Sequence, residues 1–413
     1  MTATALADTA SGRSGVGVVA SVQDLSIHFQ TKTGMLHAVD EVSFDIRDGE
    51  TLGLVGETGC GKTVTARAFM RLVATPPGVY AGGRIDFWSS DTRAAGGGPV
   101  NLLTLPDDEM LGIRGNRIAM IFQDPGKALN PALSIGDQLA EVFYQHRSEE
   151  MLEPLGEGAP TIVRRAARQE ATRVEKLLLR VPPLRSQANK VKAAVDDRVA
   201  AALADTQIPN PGKIMDRYPH ELSAGMKQRV LIAQALACHP DLLIADEPTT
   251  ALDVTVQARI LELIAELLEQ RDTSVLYISH DLALVREICD RVAVMYAGRI
   301  VEIGLTEEVF SDPLHPYTRG LMGAVPSSGH RRGELEAIEG SVPELIDPEP
   351  SCRFSTRCRF AADVCRGMDP RFLRHTFEHG VACHAHDDPA ALGARPAQMP
   401  SFAPDDRTVD DAP

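Results

Sequence analysis

The sequence lacks three features that mark membrane-spanning, exported and nucleic-acid-binding proteins. No stretch approaches the roughly 18 consecutive apolar residues that a membrane-spanning helix needs. The N-terminal residues, rich in Ala, Thr, Gly and Ser, have no apolar centre of the kind found in a signal peptide. The formal net charge is -15, so the basic excess expected of a general nucleic-acid binder is also missing. We therefore expect a cytosolic chain that binds no nucleic acid and reaches a membrane only through partners.

The composition is otherwise typical of a multidomain globular protein. Its 413 residues allow two or three domains, and 44% hydrophobic with 24% charged residues are ordinary proportions for a chain with a buried core. Residues 1–20 and 391–413 show no hydrophobic periodicity. We expect both ends to be disordered tails.

A glycine-rich octapeptide organises the rest of the chain. It fits the pattern G-x-x-x-x-G-K-[ST], follows an apolar run at 51–55 that predicts a buried strand, and precedes a predicted helix at 64–73. Backbone N–H groups of such a loop point at phosphate oxygens, its lysine adds positive charge, and its last hydroxyl can ligate Mg²⁺. The flanking strand and helix disfavour the alternative, a glycine-rich turn that matches by chance. The residues of this phosphate loop are Gly56, Glu57, Thr58, Gly59, Cys60, Gly61, Lys62 and Thr63.

Polar side chains follow three apolar runs, each of which predicts a buried strand. Because ligands bind at the carboxyl ends of parallel strands, these side chains are candidates for a nucleotide site. We expect Asp246 and Gln123 to support Mg²⁺, and Glu247 to polarise the attacking water. His280 is a candidate for contacting a γ-phosphate. A strand-ending turn residue is the structural alternative for Gln123, and a structural histidine is the alternative for His280.

Further candidates lie outside those strand ends. Ser223 and Gly225 precede a predicted helix at 227–237, and the backbone amides there form a second potential anion site. Phe29, in a predicted strand, either stacks on adenine or belongs to the core. Asp253 follows the two carboxylates after a short turn.

Two regions show a clear hydrophobic period. Apolar alternation at 22–29 and 39–46 predicts antiparallel strands ahead of the phosphate loop. A helical subdomain is predicted at about 132–235, with its charged residues on solvated faces. Its predicted apolar face consists of Ile162, Ala166, Val174, Leu177, Leu178 and Val181 and resumes after Pro182-Pro183 at Val191, Val195, Val199 and Leu203.

Together these motifs resemble the nucleotide-binding subunit of an ATP-binding cassette (ABC) transporter. The resemblance covers roughly residues 22–385 and includes a signature-like segment at 222–226. It implies an α/β fold: a P-loop (RecA-like) nucleotide-binding domain with an antiparallel β subdomain, a helical subdomain and a small Cys-rich C-terminal extension. It also implies ATP and Mg²⁺ as cofactors, with Thr63, Gln123 and Asp246 on the metal. The family forms two ATP sites at a head-to-tail dimer interface, so the phosphate loop of one subunit would face the signature of the other.

A finer resemblance is to the ATPase subunits of oligopeptide and dipeptide importers. It is carried by the segments at 121–131, 245–255, 315–318 and 340–383. It implies ATP hydrolysis that drives peptide uptake, although similar subunits carry nickel, glutathione or oligosaccharides. The expected partners are a second, different ABC ATPase subunit, two membrane permease subunits and an extracytoplasmic solute-binding protein. This chain would then be peripheral on the cytoplasmic side of the cell membrane.

The resemblance also predicts domain boundaries. The sequence departs from the family pattern at two places. We expect an ABC ATPase domain at 21–310 and an importer-type extension at 311–390. Ala224 stands where the signature most often has Gly, and its methyl group would lie close to the opposing γ-phosphate. We hypothesise that the composite site using this signature is weakened. The stretch 181–205 is longer than expected, and a solvated insertion is favoured over a partner contact.

Four of the seven cysteines fall within 32 residues, while Cys60, Cys238 and Cys289 are scattered. Without a secretion signal, such a cluster predicts metal binding before disulfides. Four thiolates at these spacings suit either Zn²⁺ or a larger iron–sulfur cluster, and four unliganded cysteines are a third possibility. The resemblance favours a [4Fe–4S] cluster over Zn²⁺, with a structural or redox-sensing role because the cluster is far in sequence from the hydrolytic residues. The predicted ligands are Cys352, Cys358, Cys365 and Cys383, with His384 and His386 as nearby spare ligands.

Two other function classes compete with a peptide importer. One is a soluble ABC ATPase that acts on nucleic acid or ribosomes and holds zinc in its cysteine tail. The single cassette, the acidic balance and the importer-like tail disfavour it. The other is a regulatory or docking module, which the intact Lys62, Glu247 and His280 disfavour.

Overall fold

The computed structural model describes residues 17–156, 159–249, 253–269, 272–323 and 338–387. The chain forms two compact units: unit 1 contains Met1–Thr104 and Leu276–Pro413, and unit 2 contains Leu105–Val275. The predicted tail at 391–413, most of the tail at 1–20, and positions 250–252 of the importer-like motif lie outside the described residues. Within the described ranges we find no helical segment whose length and hydropathy would allow it to span a lipid bilayer.

The described residues contain twelve strands and seventeen α-helices. The strands are β1 (Val18–Gln30), β2 (Met35–Arg47), β3 (Thr51–Val55), β4 (Gly78–Phe87), β5 (Val100–Asn101), β6 (Ile118–Ile121), β7 (Leu242–Asp246), β8 (Ser274–Ser279), β9 (Arg291–Tyr296), β10 (Arg299–Leu305), β11 (Phe372–Arg374) and β12 (Gly380–Ala382). The helices are α1 (Lys62–Phe69), α2 (Ser90–Ala94), α3 (Asp107–Ile113), α4 (Pro125–Ala128), α5 (Ile135–His146), α6 (Ser148–Leu152), α7 (Thr161–Ala167), α8 (Arg173–Leu178), α9 (Pro182–Asp205), α10 (Pro211–Met215), α11 (Ala224–Leu236), α12 (Val254–Glu269), α13 (Leu282–Ile288), α14 (Thr306–Ser311), α15 (Pro316–Gly323), α16 (Asp363–Gly367) and α17 (His384–Asp387).

Unit 1 contains an antiparallel sheet with the strand order β2-β1-β4-β5. Strands β1 and β2 pair along their length, from Val18 opposite Arg47 to Gln30 opposite Met35. The predicted antiparallel strands at 22–29 and 39–46 are therefore confirmed, and both are longer than predicted. The alternating apolar residues fix the register, because a one-residue slip would turn the buried side chains to the opposite face.

A second sheet of unit 1 positions the phosphate loop. Its strand order in this unit is β11-β12-β10-β9-β3-β8. Strand β3 runs parallel to β9, with Val55 opposite Val294, while β10 runs antiparallel to β9. Strands β3, β8 and β9 are almost entirely buried, which explains their continuous apolar composition. The phosphate loop leaves the carboxyl end of β3, where parallel sheets bind ligands.

Unit 2 contains a parallel strand pair and a helical core. Strands β6 and β7 pair from Ile118 opposite Leu242 to Ile121 opposite Ala245. The helical core gathers buried residues of α5, α9 and α11. The predicted helical subdomain is therefore present in this unit, whereas the predicted domain boundaries stay a prediction.

Helix α9 corrects the expectation of a solvated insertion at 181–205. The helix begins at Pro182, where a proline is tolerated because the first N–H groups of a helix have no intrahelical acceptor. Its side chains at four-residue spacing are buried in the helical core, so the segment is an integral part of unit 2. These residues are Val191, Val195, Val199 and Leu203, at 4%, 0%, 0% and 0% exposure.

The predicted apolar face before Pro182 was wrong in its second half. Val174 and Leu177 are 68% and 62% exposed, and Leu178 and Val181 are also exposed. Helices α7 and α8 are separate, so the turn between them breaks the period that the prediction continued. In α7 the buried residues are Val163 and Ala167, one position beyond the predicted pair Ile162 and Ala166.

Candidate functional site

The phosphate loop has a backbone that only glycine can follow at two positions. Gly56 and Gly61 have φ of 150° and 111°. A Cβ at Gly56 would lie 2.1 Å from the carbonyl oxygen of Met295, and one at Gly61 would lie 2.5 Å from that of Ala38. Both contacts are too short for any side chain, so the curl of the loop depends on these glycines.

Lys62 is the first residue of α1 and is only 6% exposed. Its Nζ donates hydrogen bonds to the carbonyl oxygens of Gly56 at 2.7 Å and Glu57 at 3.0 Å. The ammonium group is therefore held inside the loop, next to the half-buried Thr63. A positive charge at the start of a helix, surrounded by loop amides, favours an anionic ligand such as phosphate.

In unit 2 the pairing of β6 with β7 brings two predicted residues together. Because Ile121 lies opposite Ala245, Gln123 and Glu247 follow their strands at the same edge. The Nε2 atom of Gln123 donates a hydrogen bond of 2.8 Å to Oε2 of Glu247. The carboxylate of Glu247 is thus oriented by a neutral donor that leaves its negative charge in place.

The backbone at the end of β7 also directs its two carboxylates differently. Asp246 is 2% exposed, whereas Glu247 is half-buried. Glu247 has a φ of 47°, in the left-handed region that non-glycine residues seldom adopt. Such backbone strain is common at functional sites, where the surrounding fold enforces it.

The signature-like segment forms the start of α11. The Ser223 hydroxyl accepts a 3.3 Å hydrogen bond from the Met226 N–H and so caps the helix. A Cβ at Gly225 would lie 3.0 Å from Cγ1 of Val256, so this glycine permits close packing on α12. Ser223 and Ala224 are exposed and accessible to a ligand or to another chain.

The remaining predicted residues have mixed positions. The Asp253 carboxylate accepts a hydrogen bond of 3.0 Å from the Val256 N–H at the start of α12. His280 follows β8 and is exposed. Phe29 is half-buried in β1, with its ring beside Gly78. The functional roles of all these residues stay predictions.

The four clustered cysteines meet around one small pocket of unit 1, together with aromatic and histidine side chains. Its wall includes Phe354, His315 and His384 besides the cysteines. A backbone hydrogen bond of 2.9 Å from the Cys352 N–H to the Cys365 carbonyl joins two of the cysteine segments. Residues spaced over 32 positions thus converge on one site, as a shared ligand would require. The cysteines lining the pocket are Cys352, Cys358, Cys365 and Cys383.

The geometry of this cysteine pocket limits what it can hold. Among the described residues, no three of these thiols lie within 4.8 Å of one another. Burial, aided by the neighbouring cysteines, raises the pKa of the Cys352 and Cys383 thiols to about 12. The thiols therefore stay protonated at neutral pH unless a cation compensates for the charge of the thiolates.

A contact that sequence reasoning missed joins the C-terminal extension to the phosphate loop. Arg357, between the first two cysteines of the cluster, forms a two-pronged ion pair with Glu57. The Tyr317 hydroxyl oxygen accepts a hydrogen bond of 2.9 Å from the Glu57 N–H. No pattern in the sequence marks this contact, because Arg357 is one of six arginines between Cys352 and Cys383.

A second group that the sequence did not indicate is His28, His37 and Asp40. Oδ1 of Asp40 lies 3.7 Å from Nε2 of His28 and 3.8 Å from Nδ1 of His37, which is a spacing that could suit a metal. However, the two imidazole rings stack at 3.8 Å, so their in-plane lone pairs do not converge. Arg299 and Arg353 contact the other oxygen of Asp40. Their positive charge disfavours a cation here.

Known protein families match both the region that contains the phosphate loop and the C-terminal extension. The family described as "ABC transporter" matches residues 39–250, and the family "Oligopeptide/dipeptide transporter, C-terminal region" matches residues 301–365. The dipeptide transport ATP-binding protein DppD of Bacillus subtilis is 42% identical over 372 residues, which cover 90% of this chain and 96% of that protein. The oligopeptide transport ATP-binding protein OppD of the same organism is 40% identical over 363 residues, covering 87% of each. A probable peptide ABC transporter ATP-binding protein of Sinorhizobium fredii is 41% identical over 363 residues, covering 88% of this chain and 93% of that protein.

Proposed function

This chain belongs to the ABC transporter family, and on that premise we propose that it is the ATP-hydrolysing subunit of an importer for dipeptides or oligopeptides. The observation that carries the cargo class is the 42% identity to a dipeptide transport ATP-binding protein along 90% of this chain. The match to the oligopeptide/dipeptide transporter C-terminal region supports the same class. The phosphate loop and the Gln123–Glu247 pair give the chain the parts of an ATPase.

In this proposal unit 1 binds the phosphates of ATP. The loop amides and Lys62 surround the phosphate oxygens, and Lys62 exchanges its carbonyl partners for them. Phe29 stacks near the base, and His280 contacts the γ-phosphate. The assignment of phosphate binding to this loop is supported by the position of Lys62, whose Nζ lies 2.7 Å from the Gly56 carbonyl oxygen.

The metal and water chemistry is assigned to hard oxygen donors. Thr63, Gln123 and Asp246 offer a hydroxyl, an amide oxygen and a carboxylate, which is a donor set that fits Mg²⁺. When bound, Mg²⁺ neutralises charge on the transferred phosphoryl group. Because Gln123 uses Nε2 for Glu247, its Oε1 is the atom left for the metal.

Glu247 is the residue we assign to the attacking water. Its carboxylate follows β7 at the ligand-binding edge of the strand pair and accepts a hydrogen bond of 2.8 Å from Gln123. A positioned carboxylate of this kind orients the nucleophile and takes its proton. Ser223 and Gly225 contact the γ-phosphate held by a second subunit, and their place at the exposed start of α11 supports this role.

The proposed partners follow from this function. They are a second, different ATPase subunit, two membrane permease subunits and an extracytoplasmic solute-binding protein, with this chain on the cytoplasmic side of the membrane. The test is to purify the tagged chain from its native membranes, identify its partners and reconstitute the complex. Peptide-loaded binding protein is expected to stimulate ATP hydrolysis. Stimulation by nucleic acid or ribosomes, with no permease bound, would contradict the proposal.

We also propose that the cysteine pocket holds a [4Fe–4S] cluster. A single Zn²⁺ with bonds of about 2.3 Å to tetrahedral thiolates requires sulfur atoms about 3.8 Å apart. No three thiols of the described chain all lie within 4.8 Å of one another, so every set of three contains a sulfur–sulfur distance longer than the zinc geometry requires. A cluster supplies both the larger size and the positive charge that buried thiolates need.

The metal content of the protein tests this second proposal. Protein purified without oxygen is expected to contain about four irons and four acid-labile sulfides per chain. It should also absorb in the visible blue region. Zinc at one per chain with no iron would reject the cluster, and absence of both metals would leave four free thiols.

A further inference from the structure

Two residues of the C-terminal extension form hydrogen bonds with Glu57, the second residue of the phosphate loop. The Glu57 carboxylate receives hydrogen bonds of 2.8 Å from Nη1 and 3.0 Å from Nη2 of Arg357. The Glu57 N–H donates to the Tyr317 hydroxyl at 2.9 Å. Glu57 is therefore fixed through its backbone and its side chain by two residues about 260 and 300 positions further along the chain.

Arg357 is buried and is held by several hydrogen bonds. Its side chain is 5% exposed, compared with 26% for Glu57. Nε donates to the Glu339 carbonyl at 2.9 Å, and Nη2 donates to the Ile338 carbonyl at 3.3 Å. The Tyr296 hydroxyl lies 3.4 Å from Nη1. Because each nitrogen of the guanidinium group has an acceptor, the fork that meets Glu57 is held in one orientation.

Tyr317 is held equally firmly. It is fully buried, and its ring packs against Tyr296 at 4.6 Å and Phe354 at 5.5 Å. The Tyr317 N–H donates to Nδ1 of His315 at 3.0 Å. The hydroxyl group that meets the loop is thus the end of a rigid aromatic cluster.

Glu57, which Arg357 and Tyr317 hold, is also a hydrogen-bond acceptor for the lysine of the loop. Nζ of Lys62 donates to the carbonyl oxygen of Glu57 at 3.0 Å, and the same residue carries the Arg357 and Tyr317 contacts. A shift of Glu57 would therefore move a hydrogen-bond partner of Lys62. Because Glu57 is shared in this way, we expect the Arg357–Glu57 ion pair to affect ligand binding by the loop as well as the stability of the fold.

Arg357 also lies inside the cysteine cluster. The backbone turns tightly between Cys352 and Cys358, with the Cys358 N–H donating to the Phe354 carbonyl at 2.9 Å. From this turn Arg353 reaches the Ala297 carbonyl and the Asp40 carboxylate. The turn that carries two cysteines thus projects both arginines onto the surroundings of the loop.

We propose that Arg357 and Tyr317 are positioning residues of the phosphate loop, through which the C-terminal extension sets the affinity of this subunit for nucleotide. The proposal rests on the proposed ATPase function, because it assigns a second task to the same site. Neither residue touches the phosphates or takes part in the chemical step. Both hold Glu57 so that Lys62 and the loop amides keep the geometry that binds phosphate.

The test measures binding of a fluorescent ATP analogue to the purified full-length chain. Arg357→Ala and Glu57→Gln are each expected to raise Kd about tenfold, and the double variant is expected to be no worse than either alone. Arg357→Lys keeps the charge but loses the fork, so it should restore only part of the affinity. Tyr317→Phe removes one hydroxyl and is expected to raise Kd about threefold.

A KM and kcat comparison in the assembled complex separates positioning from a structural role. Arg357→Lys and Glu57→Gln should raise KM for ATP while kcat changes less than about twofold. Arg366→Ala is the matched control, since Arg366 is an exposed arginine of the same extension, paired with Asp363. It is expected to leave Kd, KM and the melting temperature unchanged.

Two outcomes would overturn the inference. Unchanged Kd and KM in Glu57→Gln and Arg357→Lys, with only the melting temperature lowered, would show a merely structural ion pair. Additive losses in the double variant would show that the two residues act separately. If the unmodified chain bound no nucleotide at all, the proposed ATPase function would fall as well, so the two failures are distinguishable. Should Arg357→Ala not fold, Arg357→Lys and Tyr317→Phe decide the matter.

Discussion

The two compact units hold their candidate site residues in different ways. In unit 1, Lys62 is 6% exposed, and Glu57 is fixed by Arg357 and Tyr317. In unit 2, Gln123 and Ser223 are exposed, and the half-buried Glu247 carboxylate accepts a hydrogen bond from the Gln123 amide. Unit 1 therefore holds the lysine and the glutamate of its loop in place, whereas unit 2 presents accessible polar groups.

The difference matches the tasks that we assign to the two units. A loop that binds phosphate gains affinity when it is held in the bound geometry before the ligand arrives. Groups that activate water, or that meet a second subunit, must stay accessible and adjustable. Changes in unit 1 are therefore expected to alter nucleotide affinity, and changes in unit 2 are expected to alter turnover.

The sharpest test of the unit 2 assignment is Glu247→Gln. The neutral amide cannot take a proton from water, so ATP hydrolysis by the complex should fall by at least about 100-fold. Nucleotide affinity should stay within about twofold, because Lys62 and the loop are untouched. Glu262→Gln, at an exposed position of α12 in the same unit, is the control. Undiminished hydrolysis in Glu247→Gln would reject Glu247 as the catalytic residue.

The cysteine pocket gives a test confined to unit 1. Cys358→Ser is expected to lose most of the bound iron and to raise the Kd for nucleotide several-fold, since Arg357 is the preceding residue. Cys238→Ala, a buried cysteine of unit 2, should keep both the iron and the affinity. Iron content and Kd are measured on the same samples. Loss of iron with unchanged Kd would separate the cysteine pocket from the phosphate loop.

Acid is expected to destabilise unit 1 through His315. Burial lowers the pKa of this histidine from 6.5 to about 4. Because the unfolded chain takes up the proton first, stability is present above about pH 6.5 and falls as the pH drops towards 4. The loss is at most roughly 3 kcal/mol. His315→Gln should flatten this part of the pH profile in thermal melting, whereas His220→Gln, at an exposed position, should not. Identical slopes in all three proteins would exclude His315.

The smallest predicted effect concerns the exposed start of α11. If the Ala224 methyl group weakens the composite ATP site, Ala224→Gly should raise ATP hydrolysis by the assembled complex about twofold. Nucleotide binding by the isolated chain should not change, since the signature meets the nucleotide of another subunit. Hydrolysis rates of the complex and peptide uptake are the measurements. Equal rates in both would make Ala224 a neutral replacement.

Much of the candidate site was predictable because its determinants are local. The glycines of the phosphate loop are required by its backbone, and the polar residues at strand ends follow from the direction of parallel strands. Gln123 and Glu247 meet because each lies two residues beyond the paired residues Ile121 and Ala245. The helical predictions were less secure. A four-residue period identified the buried side of α9 but not the break between α7 and α8, which left Val174 and Leu177 exposed.

The sequence by itself determined the family of this protein, its phosphate loop and the residue types of its cysteine cluster. These features depend on short spacings, which the geometry of strands, turns and helices fixes. Only the tertiary structure placed Arg357 on Glu57, 300 residues away, and gathered the four cysteines around one pocket. No local pattern specifies such a pair, because its partners are brought together by the packing of the sheet and the extension. The structure thus shows that the C-terminal extension, which is distant in sequence from the phosphate loop, contacts that loop directly.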